Sequence, residues 1–176
     1  MDPSRPITAP DRRRKPRTKR ILLTAAAVLA LVLVAGVAWF QPYKLWIDTT
    51  VEEAAPAGAV VIAQGTFISH EHATTGTAVL SRRGDGSEVL RLDQLDTSNG
   101  PVLKVWLSDA PVRTGTDGWR VFGTGRHLDL GRLKGNQGSQ NYAIPPGTDL
   151  TNLTSVTIWC DRFHVSFGAA PLAPTN

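Results

Sequence analysis

Ile21 to Phe40 reads ILLTAAAVLALVLVAGVAWF, twenty consecutive residues without a charge. At a rise of about 1.5 Å per residue a helix of that length reaches roughly 30 Å, the thickness of a bilayer's hydrocarbon core. Soluble cores rarely supply so long an uncharged run, so one membrane-spanning helix is expected here. Thr24 is its only polar side chain ahead of the aromatic end, and a threonine hydroxyl can bond back to the helix. Trp39, Phe40, Tyr43 and Trp46 cluster where the chain would leave the lipid, as an interfacial aromatic belt does.

Charge sets the expected orientation. The formal net charge is +4, but residues 1–20 hold eight basic side chains against two acids, and the remaining residues hold 11 basic against 13 acidic groups. The basic block Arg12 to Arg20 is expected to stay cytoplasmic and the chain beyond Phe40 to lie outside. A nucleic-acid-binding domain would carry its Lys and Arg on the folded face, and this one does not. Gly36-Val37-Ala38 offers a small-x-small cleavage site, yet the apolar run exceeds the ~7–15 residues of a signal-peptide core, which favours an uncleaved signal anchor. The expected organisation is a basic cytoplasmic tail over 1–20, a signal anchor over 21–40, a linker over 41–59 and an extracytoplasmic domain over 60–176. The lipid bilayer, through residues 21–40, is the first partner this implies, and a redox or cell-surface protein would be met outside.

Beyond Val60 short apolar or alternating runs are punctuated by Gly, Pro, Asn and Asp. Strands are predicted at 60–68, 75–81, 88–92, 103–108, 119–122, 140–144, 156–160 and 163–167, separated by turn signals such as Gly84-Asp85-Gly86 and Ser98-Asn99-Gly100-Pro101. No sustained 3.6-residue stripe occurs. The expected fold is all-β, an antiparallel sandwich or barrel of about eight strands behind one N-terminal transmembrane helix. In SVTIWCDRFHVSFG, Val156, Ile158 and Cys160 share one face of a strand, whereas Phe163, Val165 and Phe167 have the opposite parity. That switch predicts a bulge or bend at Cys160-Asp161-Arg162.

The one cysteine, Cys160, excludes an intramolecular disulfide and any multi-cysteine zinc site. Its bland reading is a small buried hydrophobe. Its functional readings are a redox thiol, an intermolecular disulfide, or a metal or haem ligand. In an oxidising compartment an unpaired thiol must be either buried or used. The histidines are His70, His72, His127 and His164. His70 and His72, two apart, would project on one face of an extended segment, and with Cys160 and His164 they are the candidate donors of a soft N/S site for copper or haem iron. The stretches Leu128–Gly131 and Leu133–Tyr142 are rich in glycine and amides and are read as hairpin turns; no Gly-Lys-Ser/Thr follows, so they do not form a phosphate loop. Asn152-Leu153-Thr154 is a glycosylation sequon. No serine–histidine–aspartate order, paired carboxylates or nucleophile elbow stands out, so an enzyme is the weaker reading.

Four segments carry a resemblance: GTFISHEHATTGTAVL, LRLDQLDTSNGPVLKVWLS, LDLGRLKGNQGSQNYAIP and SVTIWCDRFHVSFGAAPL. In this order, over about 65 to 172, they resemble the successive motifs of the electron-transfer DM-thirteen domain, a family found as single exported or anchored domains in bacteria. The resemblance implies an all-β exported domain with a redox role through the cysteine of the Ile-Trp-Cys motif, here Cys160, with or without a bound cofactor. It makes His72 the companion of Cys160 and gives Asn99, Gly100, Pro101, Asn141 and Tyr142 structural roles. Leu153 departs from the pattern, which usually has an aromatic there. The alternative is a non-catalytic cell-surface binding or scaffold domain with Cys160 packed as core.

Overall fold

The computed structural model describes residues 16–175; most of the predicted basic tail, residues 1–15, lies outside the described residues. Two units are distinguished, one ending at Phe40 and the other beginning at Gln41. The first contains α1, Pro16–Phe40. Its Thr18–Phe40 stretch is long and apolar enough to cross a membrane, with a mean hydropathy of 2.8. It is apolar on every side rather than amphipathic, which suits lipid better than a protein core. Thr24 Oγ1 donates to the Arg20 carbonyl at 2.9 Å, as expected for a hydroxyl inside such a helix.

The second unit is a two-sheet β domain. Its strands are β1 (Thr50–Glu52), β2 (Val60–Thr66), β3 (Ile68–Ser69), β4 (Thr74–Arg82), β5 (Glu88–Thr97), β6 (Leu103–Ser108), β7 (His127–Arg132), β8 (Gln137–Ala143), β9 (Ser155–Cys160), β10 (Val165–Pro171) and β11 (Ala173–Pro174). One sheet has the order β1-β8-β5-β4-β2-β11 and the other β3-β10-β9-β6-β7. Neighbours are antiparallel except β1 and β8. The all-β expectation holds for this domain, with eleven strands among the described residues where eight were predicted.

The main core lies between the sheets. Leu90, Leu92 and Leu95 of β5 face Leu103, Val105 and Leu107 of β6 and Val156, Ile158 and Cys160 of β9. Alternate residues of the five-stranded sheet point the other way, and there Trp106, Trp159 and Ala169 pack with Ala110 and Phe122 in a smaller cluster. Residues 109–126 form the cover over that second face. All six residues of β9 are therefore buried, which explains why Ser-Val-Thr-Ile-Trp-Cys lacks a polar face.

Three local expectations change, and one is narrowed. Residues 119–122, predicted as a strand, lie in the cover between and within two short 3-10 turns, Gly115–Gly118 and Val121–Gly123. Leu128–Gly131 and Leu133–Tyr142 are not mainly turns; they contribute β7 and β8. The parity switch after Cys160 is made by a turn, Asp161 to His164, so of the expected bulge or bend it is the bend that occurs. His164 takes φ 52 there, and the actual irregularity of the β9–β10 ladder falls between Ser166 and Gly168. Within the stretch read as a linker, Thr50–Glu52 form β1, and the Glu53 carboxylate accepts from Asn141 N and Lys134 Nζ, each at 2.7 Å.

Candidate functional site

Cys160 ends β9, paired with Leu103 of β6 and Val165 of β10. Its side chain points into the main core and has no solvent exposure. The pocket is nevertheless polar on one side. The thiol donates to the Pro101 carbonyl, with Sγ and O 3.3 Å apart, and the next carbonyl, Val102 O, accepts the Asp161 N–H at 3.1 Å. Burial pushes the thiol pKa up; backbone N–H groups of Phe163 and Arg162 directed at the sulfur oppose that shift, and the charges of Glu71 and Asp161 add to it. The sulfur is consequently held as a neutral thiol at neutral pH.

The loop over the sulfur is tightly specified. Asn99 Oδ1 accepts from Gly100 N at 2.8 Å, while Asn99 Nδ2 donates to Ile47 O at 2.9 Å. Gly100 has no room for a side chain, because a Cβ would lie 2.9 Å from Phe167 Cζ. Val102 adopts φ 54. The left-handed region is costly for a β-branched residue, and strain of this kind is on the order of 1–3 kcal/mol. Asn99 and Gly100 thus shape the loop, and Pro101 is its contact with Cys160.

The histidines do not gather round the sulfur as one set. His70 and His72 sit on a bend after β3 and diverge. His70 is buried: its Nε2 lies 3.0 Å from the Arg113 carbonyl and its Nδ1 2.7 Å from Ser166 Oγ. The carbonyl can only accept, so Nε2 carries the proton and Ser166 donates to Nδ1. Desolvation lowers the His70 pKa, partly countered by that carbonyl. His72 is half-buried, its ring packed against Phe167 with centroids 3.9 Å apart, and it pairs with Glu71. Phe167 thus touches both His72 and the loop residue Gly100. His164 is exposed in the turn after Cys160.

These donors do not fit copper or haem iron as folded. Among the described residues no group of three His, Cys, Asp or Glu could hold a metal ion, and the sulfur is sealed beneath Pro101. A soft site needs convergent nitrogen and sulfur donors.

A different grouping escaped the sequence reading. Trp159, Trp106 and His127 form a continuous stack on the second face of the five-stranded sheet. The two indole centroids are 4.9 Å apart at 23°, and Trp106 and His127 are 3.7 Å apart at 11°. Register explains it: Trp106 pairs with Thr157 and Asp129, so Trp159 and His127 are its diagonal neighbours on the flanking strands. The available signal was parity, since both tryptophans occupy the positions opposite to the apolar core set in β6 and β9.

A family model described as Electron transfer DM13, the DM-thirteen domain, matches residues 66–172. No curated protein and no solved structure matches the chain.

Proposed function

The chain belongs to the electron-transfer DM13 family, and from that premise we propose that it is a membrane-tethered, extracytoplasmic redox domain with Cys160 as its redox residue. The observation that carries the reading is the strained loop over the sulfur. Pro101 and Val102 supply the two carbonyls that hold the Cys160–Asp161 corner, and Val102 does so at φ 54. Strain so placed favours local opening, because release of the loop relieves it. In the closed state the thiol is neutral and shielded, which suits survival in an oxidising compartment.

On opening, the chemistry is thiol–disulfide exchange. The thiol loses its proton, for which His72, backed by Glu71, is the companion base. The thiolate then attacks a partner disulfide; an S–S bond forms to Cys160, the partner's own S–S bond breaks, and its other sulfur departs as a thiolate carrying the electron pair. The apolar helix supplies the tether, and the charge asymmetry of the chain ends supports an outward-facing domain. Equilibration of the full chain in detergent with glutathione buffers, read by intact mass, tests this. Reversible, stoichiometric mixed-disulfide formation on the folded chain, lost in Cys160→Ser, is expected. A chain that unfolds whenever it is modified would contradict it.

One observation favours a second reading, a non-catalytic cell-surface binding or scaffold domain. Cys160 has no exposure and belongs to the main hydrophobic cluster, as an inert core thiol would. In that case Cys160→Val preserves partner binding and changes stability alone.

A further inference from the structure

We propose that Trp159, Trp106 and His127 form an electron path from the Cys160 end of β9 to the free edge of the five-stranded sheet, where a partner's one-electron acceptor docks. The inference rests on the electron-transfer reading of the domain, but not on the thiol chemistry of Cys160.

Three features of the stack support it. It is graded in burial: Trp159 is 1% exposed, Trp106 6%, and His127 lies on the surface. It is in close contact, with centroids 4.9 and 3.7 Å apart and ring planes inclined by 23° and 11° at the two steps. It is directional, since Trp159 immediately precedes Cys160 while His127 opens β7, the edge strand. Packing alone does not call for an imidazole on the exposed end of a buried indole pair.

The step is a single-electron transfer. Trp106 gives one electron to an acceptor held against His127, reducing the acceptor. Trp159 refills Trp106, leaving the hole on Trp159. Among the described residues the Trp159 Nε1–H is buried without a hydrogen-bond partner, so the oxidised indole keeps its proton as a radical cation until a reduced metal centre carried by a donor protein returns one electron. The acceptor is a one-electron oxidant, such as a metal centre or an organic radical carried by another protein.

The test uses the full chain in lipid nanodiscs with a ruthenium polypyridyl photo-oxidant coordinated to His127, which His72→Gln and His164→Gln leave as the one accessible histidine beside the buried His70. Flash-quench oxidation of the ruthenium should produce an indole radical. Reduction of the oxidised ruthenium should slow by roughly tenfold or more in Trp106→Phe, the size of a barrier change worth about 1.4 kcal/mol. Should Trp106→Phe fail to fold, replacement of tryptophan by a fluorinated analogue, which raises the indole potential with packing kept, should slow the same decay. Cys160→Ser should leave the decay unchanged, which separates this path from the thiol reading. Equal decay in the parent and in both Trp106→Phe and the fluorinated protein, or no indole radical at all, would overturn the proposal even if Cys160 exchanges disulfides.

Discussion

Cys160 and Val102 act in opposite directions on stability. The sulfur fills part of the main core and satisfies the Pro101 carbonyl. Truncation by Cys160→Ala should therefore destabilise by ~1–3 kcal/mol, measured by urea unfolding. Val102, in contrast, is held against its preference, and Val102→Gly should stabilise by about 1 kcal/mol while slowing exchange at Cys160, because the loop loses its incentive to open. Protonation adds two signed expectations. The folded Cys160 pKa is raised, so its contribution is complete below the unfolded thiol pKa and is lost as pH rises through the folded value. The folded His70 pKa is lowered, so its contribution is present above the unfolded imidazole pKa and is lost as pH falls through the folded value. Thermal unfolding of the parent and His70→Gln between pH 8 and pH 5 should show the parent losing more stability on acidification. The burial of Cys160 was one of the readings open in the sequence, where its solitude and its motif singled it out. The divergence of His70 and His72 was not, because their spacing implies a shared face only in a strand, and the strand ends at Ser69.

At the scale of elements, the cover over residues Trp106 and Trp159 depends on one close approach. Gly118 lies against the Arg113 carbonyl, and a Cβ there would come within 2.7 Å of His70 Nε2. Gly118→Ala should lift residues 109–126 and cost about 1–3 kcal/mol, with acrylamide quenching of tryptophan fluorescence increased. The same cover shows why Trp119–Phe122 misled the strand reading. An apolar run bounded by Gly118 and Gly123 satisfies a strand pattern, but here Phe122 is buried from a 3-10 turn, and Trp119 O takes the Ser166 N–H at 2.7 Å. β7 was hidden for the opposite reason. As an edge strand with Asp129, Gly131 and Arg132 it reads as a loop, since an edge needs little apolar surface and tolerates charge. β9 and β6 were legible because their alternation is set by a core on one side, and the tryptophans on their other side were the unread half of the same pattern.

At the scale of the whole molecule, the uncharged run at Ile21–Phe40 and the strand rhythm after Val60 carried the architecture into view from sequence, because length and period are properties that a bilayer and a sheet each demand. The outward orientation is testable in intact cells. A membrane-impermeant maleimide should label Gly84→Cys at once, at a turn where a side chain meets open space, and the parent chain only at the slower rate of loop opening, because Cys160 is buried in the closed state. Labelling of Gly84→Cys only after lysis would reverse the topology. The central claim, that Cys160 is a redox residue exposed by opening of the 99–102 loop, is tested most directly by kinetics. The rate at which glutathione disulfide modifies native Cys160 should exceed the global unfolding rate measured under the same conditions, and Val102→Gly should lower it. A modification rate equal to the unfolding rate in both proteins would instead make the sulfur a core atom and nothing more.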